Sequence, residues 1–219
     1  MNAVDVMALP FEWGSALRHR KLFHPTGVVV SGSIERLAAS GVGLPIESAP
    51  VVARFSKGVG TPGSLPDIAG LAWRMNQDTG PWDLLTVSVA RIPLGRVLLT
   101  PLTSWSNATF STLMPLRYDD GVWWLRARIT TSIDDGGLGV DGVSRQVAAG
   151  GLRVAVDQAA GTGGFEPLAE LDLTALCPDS DITFDPVRNE ADHVRLTPTW
   201  LTGLRRAAYD RSREGRDAD

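Results

Sequence analysis

Three small groups of residues in this chain could do chemistry. In Val51-Val52-Ala53-Arg54-Phe55-Ser56 the residues alternate, so on an extended strand Arg54 and Ser56 share one face with Val52. A guanidinium and a hydroxyl on one strand face need a polar or anionic companion wherever that face is buried. Near the C-terminus, Arg205 and Tyr209 stand four apart in a helical pattern, one turn apart on one face. Arg216 falls about two turns further on, near that same face. His24 precedes Pro25 at the entrance to a β-branched run, where it either caps a strand rim or exchanges protons near neutral pH.

Other signals read as ordinary structure. Gly58-Val59-Gly60-Thr61-Pro62-Gly63 is a literal G-x-G-x-x-G, but that fingerprint holds a pyrophosphate only where its glycines open a helix. Pro62 and Pro66 punctuate the segment and Gly70-Leu71-Ala72-Trp73 reads as a strand, so a dinucleotide site is not expected. His19, His24 and His193 lack the spacing of a zinc site. Asp134-Asp135-Gly136-Gly137 and Asp179-Ser180-Asp181 are turn chemistry rather than calcium loops. Cys177 is the sole cysteine, so no internal disulfide can form and a reducing compartment is expected.

The elements that must position these residues are mostly short strands. Val4 to Leu22 is a helical lead-in interrupted by Pro10. Strands are expected from Val28 to Leu37, Val51 to Ser56, around Leu71, and from Trp82 to Val89. Pro93 to Met114 is irregular, with helical character around Ala108 to Met114. Tyr118 to Ile129 carries an Asp-Gly hairpin signal, and Gly151 to Asp157 and Phe165 to Leu173 are further strands. Thr199 to Arg216 is helical, with Thr197 as cap and Pro198 in its first turn. The expected class is α+β, mainly β: an antiparallel barrel or sandwich with flanking N- and C-terminal helices. A length of 219 residues fits one domain, 1–219, with residues 1–22 as lead-in and 197–216 as the last helix. The net charge of −4 does not suggest a nucleic-acid partner. Neither a signal peptide nor a membrane-length apolar run is seen, so a cytoplasmic protein is expected.

Five segments, in chain order, resemble the haem-dependent catalase fold and its shorter catalase-related, peroxidase-like branch. They are His24-x-x-Gly27; Arg54-Phe55-Ser56 with its glycine-rich loop; Asp67-x-x-Gly70-Leu71-Ala72; Trp82-Asp83-Leu84; and Arg205-x-x-x-Tyr209. The resemblance implies an antiparallel catalase-like barrel holding haem b in a flat slot inside it. It implies Tyr209 as the axial metal ligand, with Arg205 favouring its phenolate. His24 is then the distal acid–base and Ser56 the group that fixes its tautomer. Arg54, Lys21 and Arg216 would bind the propionates, and Val28 would lie beside the cofactor. The implied activity is peroxidase-like, on hydrogen or organic peroxides.

Departures from the pattern qualify that expectation. The family's asparagine after Trp-Asp-Leu is missing from Thr86-Val87-Ser88, which implies weak catalase turnover. Ala69 and Lys21 stand where arginines are usual. Counterparts of the family's N-terminal arm, wrapping loop and C-terminal helical domain are not expected in these residues, so a haem is expected to be more exposed and tetramer-dependent burial is not expected; a homodimer stays open. One alternative is a haem-free barrel binding a small apolar ligand, with Trp73 or Phe55 filling its lumen. Another is a phosphodiesterase, the label carried by short actinobacterial relatives, which would need a divalent metal.

Overall fold

A computed structural model describes residues 27–77, 80–92, 96–133, 136–180, 182–186 and 188–197. The helices expected at the two ends, and with them Lys21, His24, Arg205, Tyr209 and Arg216, lie outside the described residues. The strands are β1 (Gly27–Arg36), β2 (Ala49–Lys57), β3 (Ala69–Gln77), β4 (Gly80–Ser88), β5 (Thr109–Ser111), β6 (Leu116–Tyr118), β7 (Gly121–Ile129), β8 (Leu152–Ala160), β9 (Glu166–Leu176) and β10 (Arg195–Leu196). Among the described residues one helix, α1 (Val140–Gly150), joins β7 to β8.

Every pairing is antiparallel, and the order β1-β2-β3-β4-β5-β7-β8-β9 returns to β1. This is a closed eight-stranded barrel of the catalase-like type, with β6 and β10 added as a short flap beside β7. Closure leaves the barrel strands without a free edge.

The alternation read from sequence sets the two faces. Across β1 to β4 the register aligns Val28, Phe55, Leu71 and Thr86 in one inward row, and Val30, Ala53, Trp73 and Leu84 in the next. Phe55, Trp73, Phe110, Leu125, Val154 and Leu171 are all fully buried, and Phe55 meets Trp105 edge to face at 5.7 Å. The lumen is filled by its own side chains. Phe55 and Trp73 are among the large side chains buried there.

Two elements were not legible from local pattern. The helical expectation over Ala108 to Met114 gives way to β5, because Phe110 pairs with Ser88 on one side and Ala127 on the other. Helix α1 contains Gly142 and Gly150, which lower its intrinsic propensity. It forms because Val143 and Val147 bury in the core together with Leu138. The hairpin is present, with Asp119 and Asp120 as its two loop residues between Tyr118 and Gly121 and Asp119 at φ 49°. No helix among the described residues is long and apolar enough to cross a membrane.

Removing a lumen side chain tests this packing. Phe55→Ala is expected to cost about 3–5 kcal/mol through lost transfer energy and a residual cavity, read as a lowered midpoint in urea with an unchanged m-value.

Candidate functional site

The face opposite the lumen is unusual for a barrel exterior. Across β1 to β4 it presents the row Gly27, Ser56, Gly70, Val87 and beside it the row Val29, Arg54, Ala72, Leu85. All eight positions are half-buried and all but Arg54 are apolar or small. Ser56 has a glycine on either side. A Cβ at Gly70 would meet Ser56 Oγ at 2.9 Å, and a Cβ at Gly27 would meet Arg54 Nε at 2.7 Å and Nη2 at 3.2 Å. Any side chain at these two positions would take the space that Ser56 and Arg54 occupy. The result is a flat platform with one hydroxyl and one guanidinium on it.

The structure thus brings Arg54 and Ser56 together on the outer wall. Val28 lies on the other face: it pairs with Phe55, shares its inward side and packs on the core. Val29 takes the outward position.

The stretch in which the asparagine is missing is equally definite. Thr86 donates to Leu71 O at 2.7 Å inside the barrel. Ser88 is fully buried, accepting from Ala69 N at 3.0 Å and donating to Thr100 O at 2.8 Å. Only Val87 faces the platform, so neither hydroxyl offers a donor there.

The glycine-rich loop between β2 and β3 has an anion of its own. Asp67 accepts from Val59 N at 2.8 Å, Thr61 N at 2.8 Å and Thr61 Oγ1 at 3.0 Å. Burial pushes this carboxyl up, but the amides of Val59, Thr61 and Gly60 and the Thr61 hydroxyl outweigh it, and the net direction is down. Lys57, 1% exposed, closes the loop from the other side by donating to Gly63 O at 2.8 Å and Leu65 O at 3.0 Å. The amides that a phosphate would use are committed to Asp67, which gives the physical reason the literal fingerprint is no dinucleotide site.

Two further buried carboxylates were missed from sequence. Asp83 accepts from Arg74 Nε at 2.6 Å and Nη2 at 2.7 Å on the row next to the platform. On the opposite wall, Asp157 accepts from Arg126 Nε at 3.0 Å and Arg128 Nε at 2.8 Å. Hydrogen bonding to the carboxylates raises Arg74 and Arg128 above the usual guanidinium range. An available signal for the first pair was its charge complementarity at outward positions of two successive strands.

No family model matches the chain, and no curated protein does. Solved structures do. A bacterial catalase aligns at 13% identity over 97% of this chain and 61% of its own, with a TM-score of 0.64. A fungal catalase aligns at 10% identity over 87% of this chain and 58% of its own, TM-score 0.61. Catalase A from Saccharomyces cerevisiae aligns at 11% identity over 86% and 60%, TM-score 0.54. The likeness is one of fold, and the chain spans about three-fifths of the length of these structures.

The Asp67 nest makes a pH prediction. Its folded carboxyl titrates below the unfolded one, about 3.9, so its stabilisation is present above that value and is lost as pH falls through the lower folded value. Asp67→Asn is expected to cost about 1–3 kcal/mol at pH 7 by turning amide donors against an NH₂ group. The gap between the two proteins should close towards pH 3 in urea melts.

Proposed function

We propose that this chain is a haem-binding, catalase-related protein with peroxidase-like use of hydrogen or organic peroxides and weak catalase turnover. The observation that carries the reading is the outer platform. Two glycines give way to Ser56 and Arg54 within a face of small and apolar residues, on the wall of a barrel of catalase type. Such a face suits a flat, largely apolar ligand that carries carboxylates, with Arg54 as one of its cations. Haem, when bound, supplies the iron at which a peroxide is held and its O–O bond activated.

The chain's own residues then have separate duties. Arg54, Lys21 and Arg216 bind the propionate carboxylates. Tyr209 would have to lose its phenolic proton to ligate iron, and Arg205, four residues before it in the sequence, would favour the charged form. His24 accepts a proton from one peroxide oxygen and returns it to the other, while a hydrogen bond with Ser56 holds the ring in one tautomer. Val87 offers no hydrogen bond to a peroxide, so hydrogen peroxide gains nothing over an apolar organic peroxide at that position.

A second reading has one observation in its favour. Phe55 and Trp73 fill the lumen, as expected of a barrel that kept its fold and lost its cofactor. A small apolar ligand would then use the same outer platform without haem.

Hemin titration separates the two. The wild-type chain is expected to develop a Soret band saturating near one equivalent, and Tyr209→Phe to lose it or shift it. An unchanged spectrum in Tyr209→Phe would reject the axial ligand, and no band in either protein would leave the haem-free module. In the loaded protein, Val87→Asn should raise hydrogen peroxide disproportionation about 2- to 10-fold, the value of one new hydrogen bond. Unchanged turnover would mean that the missing donor does not limit the reaction.

A further inference from the structure

Asp83 points out of the barrel, yet its side chain has no exposed surface, because a segment from the far end of the chain crosses over it. Four donors converge on this carboxylate: Arg74 Nε at 2.6 Å, Arg74 Nη2 at 2.7 Å, Asp185 N at 2.7 Å and Asn189 Nδ2 at 2.9 Å. Its own N–H donates to Asn189 O at 2.9 Å. Arg74 extends the grip by donating to Thr183 O at 2.8 Å and lying 5.6 Å from the centre of the Phe184 ring. The segment is also turned on itself, with Asn189 N donating to Asp185 O at 2.9 Å. One buried carboxylate and its arginine therefore hold down Thr183, Asp185 and Asn189, with Asp185 lying 102 positions further along the chain than Asp83.

What this segment does next bears on the platform. Pro186, Glu190 and Val194 line one small cleft together with Leu85, with room for about one water. Leu85 is the last residue of the row that contains Arg54. The chain then pairs as β10 with β6, and Thr197 N donates to Pro115 O at 3.0 Å. The clamped segment is thus the wall of the platform on its β4 side, and it is the last described stretch before Arg205 and Tyr209.

We infer that Asp83 is a positioning residue of the platform. Through Arg74 and the backbone of residues 183–186 and 188–189 it holds the segment at the β4 edge, the last described stretch before residues 198–219. The inference deepens the haem reading and rests on it. A buried ion pair that merely stabilised the barrel would look similar in a melting experiment, and the protein contains the right control. Asp157 is likewise buried and paired to two arginines, but it lies on the β7–β8 wall, across the barrel from β2 and β3.

The test compares Asp83→Asn with Asp157→Asn in the full chain, by thermal melting, hemin titration and amide hydrogen exchange over residues 198–219. Both variants are expected to melt at lower temperature. Only Asp83→Asn should weaken hemin binding, by about tenfold or more as for other lost supporting contacts, and only it should speed exchange in 198–219. If Asp83→Asn melts lower but matches Asp157→Asn in both other readouts, the positioning role is wrong. Should Asp83→Asn fail to fold, Asn189→Ala removes one arm of the clamp and leaves the Arg74 pair. It is expected to speed exchange in 198–219, and wild-type exchange there would overturn the inference. If the wild-type chain takes up no hemin, the haem reading fails by itself, and the exchange comparison still decides whether Asp83 anchors the C-terminal chain.

Discussion

Closure of the barrel is the constraint from which the other features follow. β7 pairs with β8 as well as with β5 and β6, so the sheet returns on itself and its inward residues are forced into one enclosed space. An eight-stranded barrel has an interior just wide enough for side chains. Here Trp73, Phe55, Phe110 and Met75 take it up. With the interior spent on packing, polar residues on the alternate positions have to work on the outside. Arg54 and Ser56 are on the outer wall for the same reason that Phe55 is in the core: they are its neighbours on a strand with a period of two.

Three buried carboxylates then brace a loop, a late segment and a strand pair of that barrel, each by a different donor set. Asp67 is held by backbone amides of the loop it belongs to, and stiffens a connection otherwise rich in glycine. Asp83 is held by an arginine on the neighbouring strand and by the backbone of residues that come much later. Asp157 is held by two arginines spaced one strand period apart. Each carboxylate would be costly to bury alone, and each has several donors around it. Arg36 does the corresponding work for a cation, donating to the carbonyls of Ala38, Ala39, Val42, Leu44 and Ile46 and so folding the β1–β2 loop, whose Leu44 and Ile46 are fully buried.

The comparison with catalases is sharpest at the level of single positions. The fold is common to this chain and to structures with which it has 10–13% identity. At such distance the barrel persists because inward positions require only apolar residues of suitable volume, a loose condition that many sequences meet. The platform is more demanding, since Gly27 and Gly70 must stay without side chains for Arg54 and Ser56 to lie where they do. Beside them stands Val87, with Thr86 and Ser88 turned into the barrel. Arg54 and Ser56 are therefore the side-chain hydrogen-bond donors of the two rows that make up this face.

By itself the sequence determined the longer strands, β1 to β4 and β7 to β9, and with them the mainly β class, and the clean alternation of β2 separated Arg54 and Ser56 from Phe55. It also disqualified the glycine-rich loop as a phosphate site, because proline placement and the following strand are local facts. Only the tertiary structure decided which strand face is the inside, because alternation distinguishes two faces without saying which one other strands will cover. It alone placed β5, Thr109–Ser111, inside the stretch from Ala108 to Met114, where pairing on both sides overrides local preference, and produced a helix from a segment with two glycines by burying Val143 and Val147. It alone revealed what Asp83 is for, since a carboxylate that binds a backbone 102 residues away leaves no mark within any window of sequence.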